Sequence, residues 1–119
     1  MRKYLAILIS FLIFSHNNLW AKVYTVQKNT VISSVQQAIN VAKNGDTVLV
    51  EPGIYKEKNI VIDKSIVLIG NHYPVLDGEH TYEIISVKAN NVTVKGFKLI
   101  HSGVSSLIDI AGIKIYSRN

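Results

Sequence analysis

The chain has 119 residues, 48% of them apolar, no cysteine and a formal charge of +5. That length admits one small domain with a core, and the apolar content excludes a disordered chain. The lack of cysteine excludes a disulfide framework and thiolate metal ligands, and the cations are too scattered among the acids to form a nucleic-acid footprint.

The N-terminus has three parts. Arg2-Lys3 is basic, residues 4–14 are continuously apolar, and Ser15-His16-Asn17-Asn18 is polar before Leu19-Trp20-Ala21. That order predicts a secretory leader over residues 1–21, cleaved after Ala21. The apolar run is shorter than the roughly 20 residues a spanning helix needs. Removing the leader takes out Arg2 and Lys3 and no acid, which leaves a formal charge of +3.

After it, residues 23–26 alternate weakly and suit a short strand. Ser33 followed by Gln36 is a capping-box pattern, and Val35, Ala38, Ile39 and Ala42 fall on one helical face. Lys43 is expected in the last turn, where a cation complements the helix dipole, and Asn44-Gly45 supplies left-handed closing residues. Everything beyond is short, β-branched and broken by turn residues. Residues 47–51 stop at Pro52-Gly53, 59–62 at Asp63-Lys64, 65–69 at Gly70-Asn71, 74–76 at Asp77-Gly78, and 83–87 at Ala89-Asn90-Asn91. Residues 92–94 lead through Lys95-Gly96 to 97–100, and 112–116 form a last strand.

These strands repeat. Laid over residues 84–96, residues 59–70 match Ile62 with Val87, Ile66 with Val92 and Gly70 with Gly96; a third copy starting at Gly112 matches Ile115 with Val87. A period of this size, with turn residues gathered at corners, suits the coil of a β-solenoid, each strand bonding to its equivalent one coil away. An antiparallel sandwich would carry two-residue hairpin signals between strands, and the one Asn-Gly here closes the helix instead. Columns Ile62/Val87/Ile115 and Ile66/Val92 are expected inside. The amphipathic helix is expected to cover the open first coil, because an uncapped solenoid exposes core and strand edges.

The motif SVQQAIN-x-A-x-x-GDTV-x-V-x-PG-x-Y-x-E, Ser34 to Glu57, followed by NIVIDKSI-x-LIG, PVLDG, ISV-x-ANNVTVKGF and AGIKI, resembles the opening of secreted right-handed parallel β-helix proteins, and NosD-type proteins in particular. The resemblance covers essentially all of residues 22–119. It implies a periplasmic scaffold without chemistry of its own, which works with an ABC transporter in assembling the copper–sulfur centre of nitrous oxide reductase. Pectate-lyase-like enzymes and carbohydrate-binding repeat domains share the motif, so carbohydrate is the alternative partner and a polysaccharide lyase or hydrolase fragment the alternative function. Members of such families are several times longer, so 22–119 reads as the N-terminal part of a β-helix domain, incomplete at its C-terminus.

No residue is assigned a catalytic, cofactor or metal role. His72, His80 and His101 lack a metal-ligand spacing and read as surface loop residues. Asp63, Asp77, Glu79, Glu83 and Asp109 could be imagined as a calcium cluster or a glycosidase pair, but Asp63 and Asp77 sit in turn contexts. Arg118 lacks the context of a lyase base. Asn91-Val92-Thr93 matches a glycosylation acceptor but reads as corner chemistry, and Tyr55 as a packing residue. The expectation is an all-β, right-handed parallel β-helix of about two to three coils with an N-terminal capping helix, periplasmic or secreted.

Overall fold

A computed structural model describes residues 20–81, 83–103 and 112–116. Ten short strands and one helix, α1 (Val35–Val41), are found there. The strands are β1 (Val23–Val26), β2 (Thr47–Val50), β3 (Ile54–Lys56), β4 (Ile60–Ile62), β5 (Val67–Gly70), β6 (Val75–Asp77), β7 (Ile85–Val87), β8 (Thr93–Lys95), β9 (Lys98–Ile100) and β10 (Ile113–Ile115). Every pairing is parallel. Sheet 1 runs β1-β2-β5-β8, sheet 2 runs β3-β6-β9, and sheet 3 runs β4-β7-β10. Each coil therefore contributes one strand to each sheet, and the fold is a β-solenoid. The sequence suggested two to three coils. Sheet 1 has a fourth layer because β1, weakly patterned on its own, pairs with β2 from Val23↔Thr47 to Val26↔Val50.

The register follows the internal repeat. Ile62 pairs with Val87 and Val87 with Ile115, as aligned from sequence. Val67 pairs with Thr93, which puts Ile66 against Val92 in the preceding corner. Alternate residues point inward, so Val48, Leu68, Leu76, Ile60, Ile62 and Ile85 are fully buried. Gly70 and Gly96 stack where sheet 1 turns into sheet 2. A Cβ on Gly70 would fall on the Gly96 carbonyl, and one on Gly96, whose φ is +83°, would lie 2.5 Å from the Gly70 oxygen. Two coils come closer here than any side chain permits, which explains why glycine recurs at this point of the repeat.

Helix α1 buries Val35, Ala38 and Ile39 of the expected face against β1, β2 and β4, and Ala42, just past its end, is buried as well. Its ends differ from expectation. The N-cap is Ser34, whose Oγ accepts from the Gln37 amide at 3.1 Å, while Gln37 Oε1 accepts from the Ser33 amide at 3.2 Å. The capping pair is thus shifted by one residue from Ser33/Gln36. The helix stops at Val41, and Ala42 is already extended (ψ 157°), so Lys43 lies outside the last turn and Asn44-Gly45 belongs to the turn into β2.

The cation that closes the helix comes from the first coil instead. Lys64 Nζ donates to the carbonyls of Ile39 (2.8 Å), Asn40 (2.9 Å) and Ala42 (2.7 Å). At the other end the Glu57 carboxylate accepts from the Val35 and Gln36 amides at 2.7 and 3.1 Å. Gln36 frees its side chain for the strand edge: Oε1 accepts from the Val61 amide at 2.7 Å and Nε2 donates to the Val61 carbonyl at 3.1 Å. One amide side chain so replaces the missing strand beside β4. This is how an edge that would otherwise template aggregation is satisfied.

Tyr55 is the packing residue expected. It is buried, its hydroxyl donates to the Glu51 carbonyl at 2.8 Å, and Lys28 Nζ lies 4.4 Å above its ring. Burial pushes its phenol up, with help from the Glu51 and Glu57 charges. No helix among the described residues is long and apolar enough to cross a membrane. Most of the expected leader, residues 1–19, lies outside the described residues.

Candidate functional site

The three corners of the coil are not equivalent. Sheet 3 returns to sheet 1 through connections of similar length, 63–66 and 88–92. Between sheets 2 and 3 the connection lengthens with each coil, from 57–59 to 78–84 to 101–112, of which residues 82 and 104–111 lie outside those described. In repeat proteins, insertions placed on one face are often where binding is built. Asp77, Glu79, His80, Glu83 and His101 all lie on or beside this connection.

Asp77 ends β6 and stands in register between Lys56 and Ile100. Its Oδ1 accepts from the Glu79 amide at 2.9 Å, the Asx-turn that its Asp-Gly context suggested. The same oxygen lies 3.0 Å from Nδ1 of His101, one coil later. The His101 side chain is 46% exposed and that of Asp77 10%. The Glu79 amide, and after it the His101 contact and the Lys56 charge, hold the Asp77 carboxyl below the usual carboxylate range, against the upward push of burial. His80 donates its backbone N–H to the His101 carbonyl at 2.8 Å, and the two imidazole rings meet at 4.2 Å between centroids, tilted by 36°. Glu79, His80 and His101 all have φ between 53° and 62°. Left-handed backbone at three ordinary residues of one corner is a local cost sustained by the surrounding bonds.

A second polar group lies on the same connection. Glu83 Oε2 accepts from the Ser86 hydroxyl at 2.7 Å and from the Tyr116 hydroxyl at 3.1 Å, and Lys114 Nζ is 3.4 Å from Oε1. Asn59 Nδ2 donates to Ser86 Oγ at 2.6 Å. The Asn59, Tyr116 and Lys114 contacts run from coil to coil, and the Ser86–Glu83 bond lies within one coil. The Ser86 bond first, then Tyr116 and Lys114, hold the Glu83 carboxyl low.

The site residues weighed from sequence therefore separate. His80 and His101 come together, which linear spacing hid because one coil lies between them. The register of sheet 2, Val75↔Lys98, would have found them, since it sets His101 opposite Gly78. His72 lies at the corner between sheets 1 and 2 with φ of 53°, exposed and apart from this pair. Asp63 is exposed at the corner between sheets 3 and 1, away from Asp77 and Glu83. Asp109 and Arg118 lie outside the described residues. Among the described residues, no three His, Cys, Asp or Glu side chains converge to hold a metal. Asn91 and Thr93 are both exposed, and Asn91 has the left-handed φ of 56° that corner chemistry predicts. What the Asp77–His101–His80 group can do is bond an incoming polar group at the exposed histidine rings, on a frame fixed by Asp77.

The chain is 29% identical over 105 residues to a protein named cell surface glycoprotein from Methanothermus fervidus, a match that covers 84% of this chain and 18% of that protein. The chain thus spans less than a fifth of the length of the curated relative it matches. No family profile matches the chain, and no solved structure matches it.

Proposed function

We propose that this chain is part of an exported, non-catalytic β-solenoid scaffold, and that the corner between sheets 2 and 3 is its partner-facing surface. The observation that carries the reading is the lengthening of that one corner, coil by coil, while the sheets beneath it keep strict register. A rigid stack with variable loops on one face is a presentation device. The similarity to a protein named cell surface glycoprotein supports the exported location. Fractionation of cells carrying the full chain, with protease shaving, tests it: envelope or exterior location is expected, and a protease-protected cytoplasmic pool would overturn it.

The finer reading, an accessory factor of NosD type acting with an ABC transporter on nitrous oxide reductase, is supported by the Ser34 to Glu57 motif and its continuation. In that reading the chain holds no copper itself and serves as a docking surface. Its test is the copper–sulfur absorbance of nitrous oxide reductase matured in cells where this chain replaces the native accessory β-helix. No restored absorbance, with the chain exported and folded, would remove it in favour of a carbohydrate-facing scaffold.

A further inference from the structure

The head of β1 is held in an unusual way. The Lys22 nitrogen lies 2.9 Å from Asp46 Oδ1, and the Lys22 carbonyl accepts from the Thr47 amide at 2.9 Å. Lys22 is therefore fastened to the start of β2 on both sides of its Cα. The second Asp46 oxygen, Oδ2, accepts from the Lys43 amide at 2.8 Å. Asp46 is only 4% exposed, so a carboxylate is buried here against two amides. The residues just before Lys22 are the opposite: Trp20 is 76% exposed, and neither it nor Ala21 is in a strand. An open cleft of about 510 Å³, lined in part by Ala21, Lys22, Tyr24 and Asp46, adjoins the contact.

We propose that Asp46 is the receptor for the α-ammonium that leader removal creates at Lys22, so that processing locks β1 onto the stack. The proposal rests on the leader expected over residues 1–21. A leader peptidase of the exporting membrane would direct water onto the Ala21 carbonyl carbon. The C–N bond breaks, Ala21 leaves as a carboxylate, and the Lys22 nitrogen takes up the protons to become an ammonium. The amide donor to the Asp46 carboxylate then becomes an ammonium, and the hydrogen bond gains the attraction of a full ion pair. After the two backbone hydrogen bonds, the charges that act on Asp46 are those of Lys22 and Lys43, and both hold its carboxyl low. The same two cations oppose the new ammonium, which Asp46 favours. The amine of the processed, folded chain should accordingly titrate above the ordinary α-amino value of about 7.7–8.0. Its stabilisation is complete below that value and is lost as pH rises through the raised one.

The test uses the full chain, exported with its own leader, and a control that retains Ala21 through an engineered protease site ahead of it. Intact mass of the exported product is expected to place its first residue at Lys22. At about pH 8 the Lys22 amine should react with an acylating reagent about threefold to tenfold more slowly than the Ala21 amine, since one pKa unit is a factor of ten. The urea midpoint should be higher for the Lys22 start at about pH 6 and equal for both starts at about pH 11. Asp46→Asn should remove both differences; if that variant does not fold, the acylation ratio of the two unsubstituted chains decides alone. A product beginning elsewhere, or equal acylation rates, overturns the proposal. Failure of export altogether would count against the scaffold reading as well, whereas export with a different first residue would leave that reading standing.

Discussion

The leading end of the stack and its third coil are built from the same kinds of residue and are buried very differently. Along sheet 1, Val48 and Leu68 are fully buried while Val94 in the next layer is only partly so. In sheet 3 the column Ile62, Val87, Ile115 goes from 0% to 7% to 75% exposed. At the leading end α1 covers the core and three side chains, Gln36, Glu57 and Lys64, satisfy what the helix and the edge of β4 leave open. The difference shows what a solenoid layer needs: an apolar neighbour above and below, and a polar partner for every backbone group the stacking leaves free.

Truncating one side chain in each region tests this contrast directly. Leu68→Ala, between two layers, should cost about 2–5 kcal/mol, because the rigid stack cannot collapse into the cavity. Ile115→Ala, in the same kind of column but 75% exposed, should stay within about 0.5 kcal/mol. Urea denaturation of the exported chain measures both. Similar losses at the two sites would mean that the outer column is covered in solution and would break the comparison.

A second pair separates close approach from backbone conformation. Gly96→Ala meets both a φ of +83° and the Gly70 carbonyl, and should cost about 2–3 kcal/mol. Gly45→Ala has a φ of +92° and open space around it, so only the conformational cost of about 1–2 kcal/mol is expected. Equal costs would show that the two coils part readily at the Gly70–Gly96 contact.

Most of this architecture was legible in the chain. The repeat gave the register of Ile62, Val87 and Ile115 correctly, because inward β-branched residues and corner glycines obey the coil's geometry and nothing else. The helix face was equally plain. What escaped were contacts made between coils by polar side chains. Lys43 looked like the helix-closing cation because it is adjacent in sequence; Lys64 does the work because its coil brings its ammonium under three carbonyls. His80 and His101 looked like separate loop residues for the same reason, since their encounter depends on a layer spacing that no local pattern encodes. Polar pairings of this kind carry no periodicity and become visible only once the register is known.

The roles of the two lysines can be measured apart. Lys64→Met keeps the aliphatic stem and removes the donor, and should cost about 1–2 kcal/mol by leaving helix carbonyls without their charged partner. Lys43→Met, on an exposed side chain outside the helix, should fall within about 0.5 kcal/mol. The reverse order would restore Lys43 to the role its sequence position suggested.

A weaker dependence, on pH, is expected at the corner between sheets 2 and 3, where the third coil is tied back to the second. Asp77 has its carboxyl held low in the folded chain, so it contributes stability that is complete above the unfolded carboxylate value of about 3.9 and is lost as pH falls through the folded one. Urea midpoints followed downward from about pH 5 should therefore drop more steeply for the unsubstituted chain than for Asp77→Asn. The leading cause of the shift is the Glu79 amide rather than the half-exposed His101 ring. His101→Ala should then keep most of the acid-side slope while releasing the ring pair with His80. If His101→Ala flattens the profile as fully as Asp77→Asn, the inter-coil contact, and not the local turn, is what fixes Asp77, and the third coil is held more firmly than its burial implies.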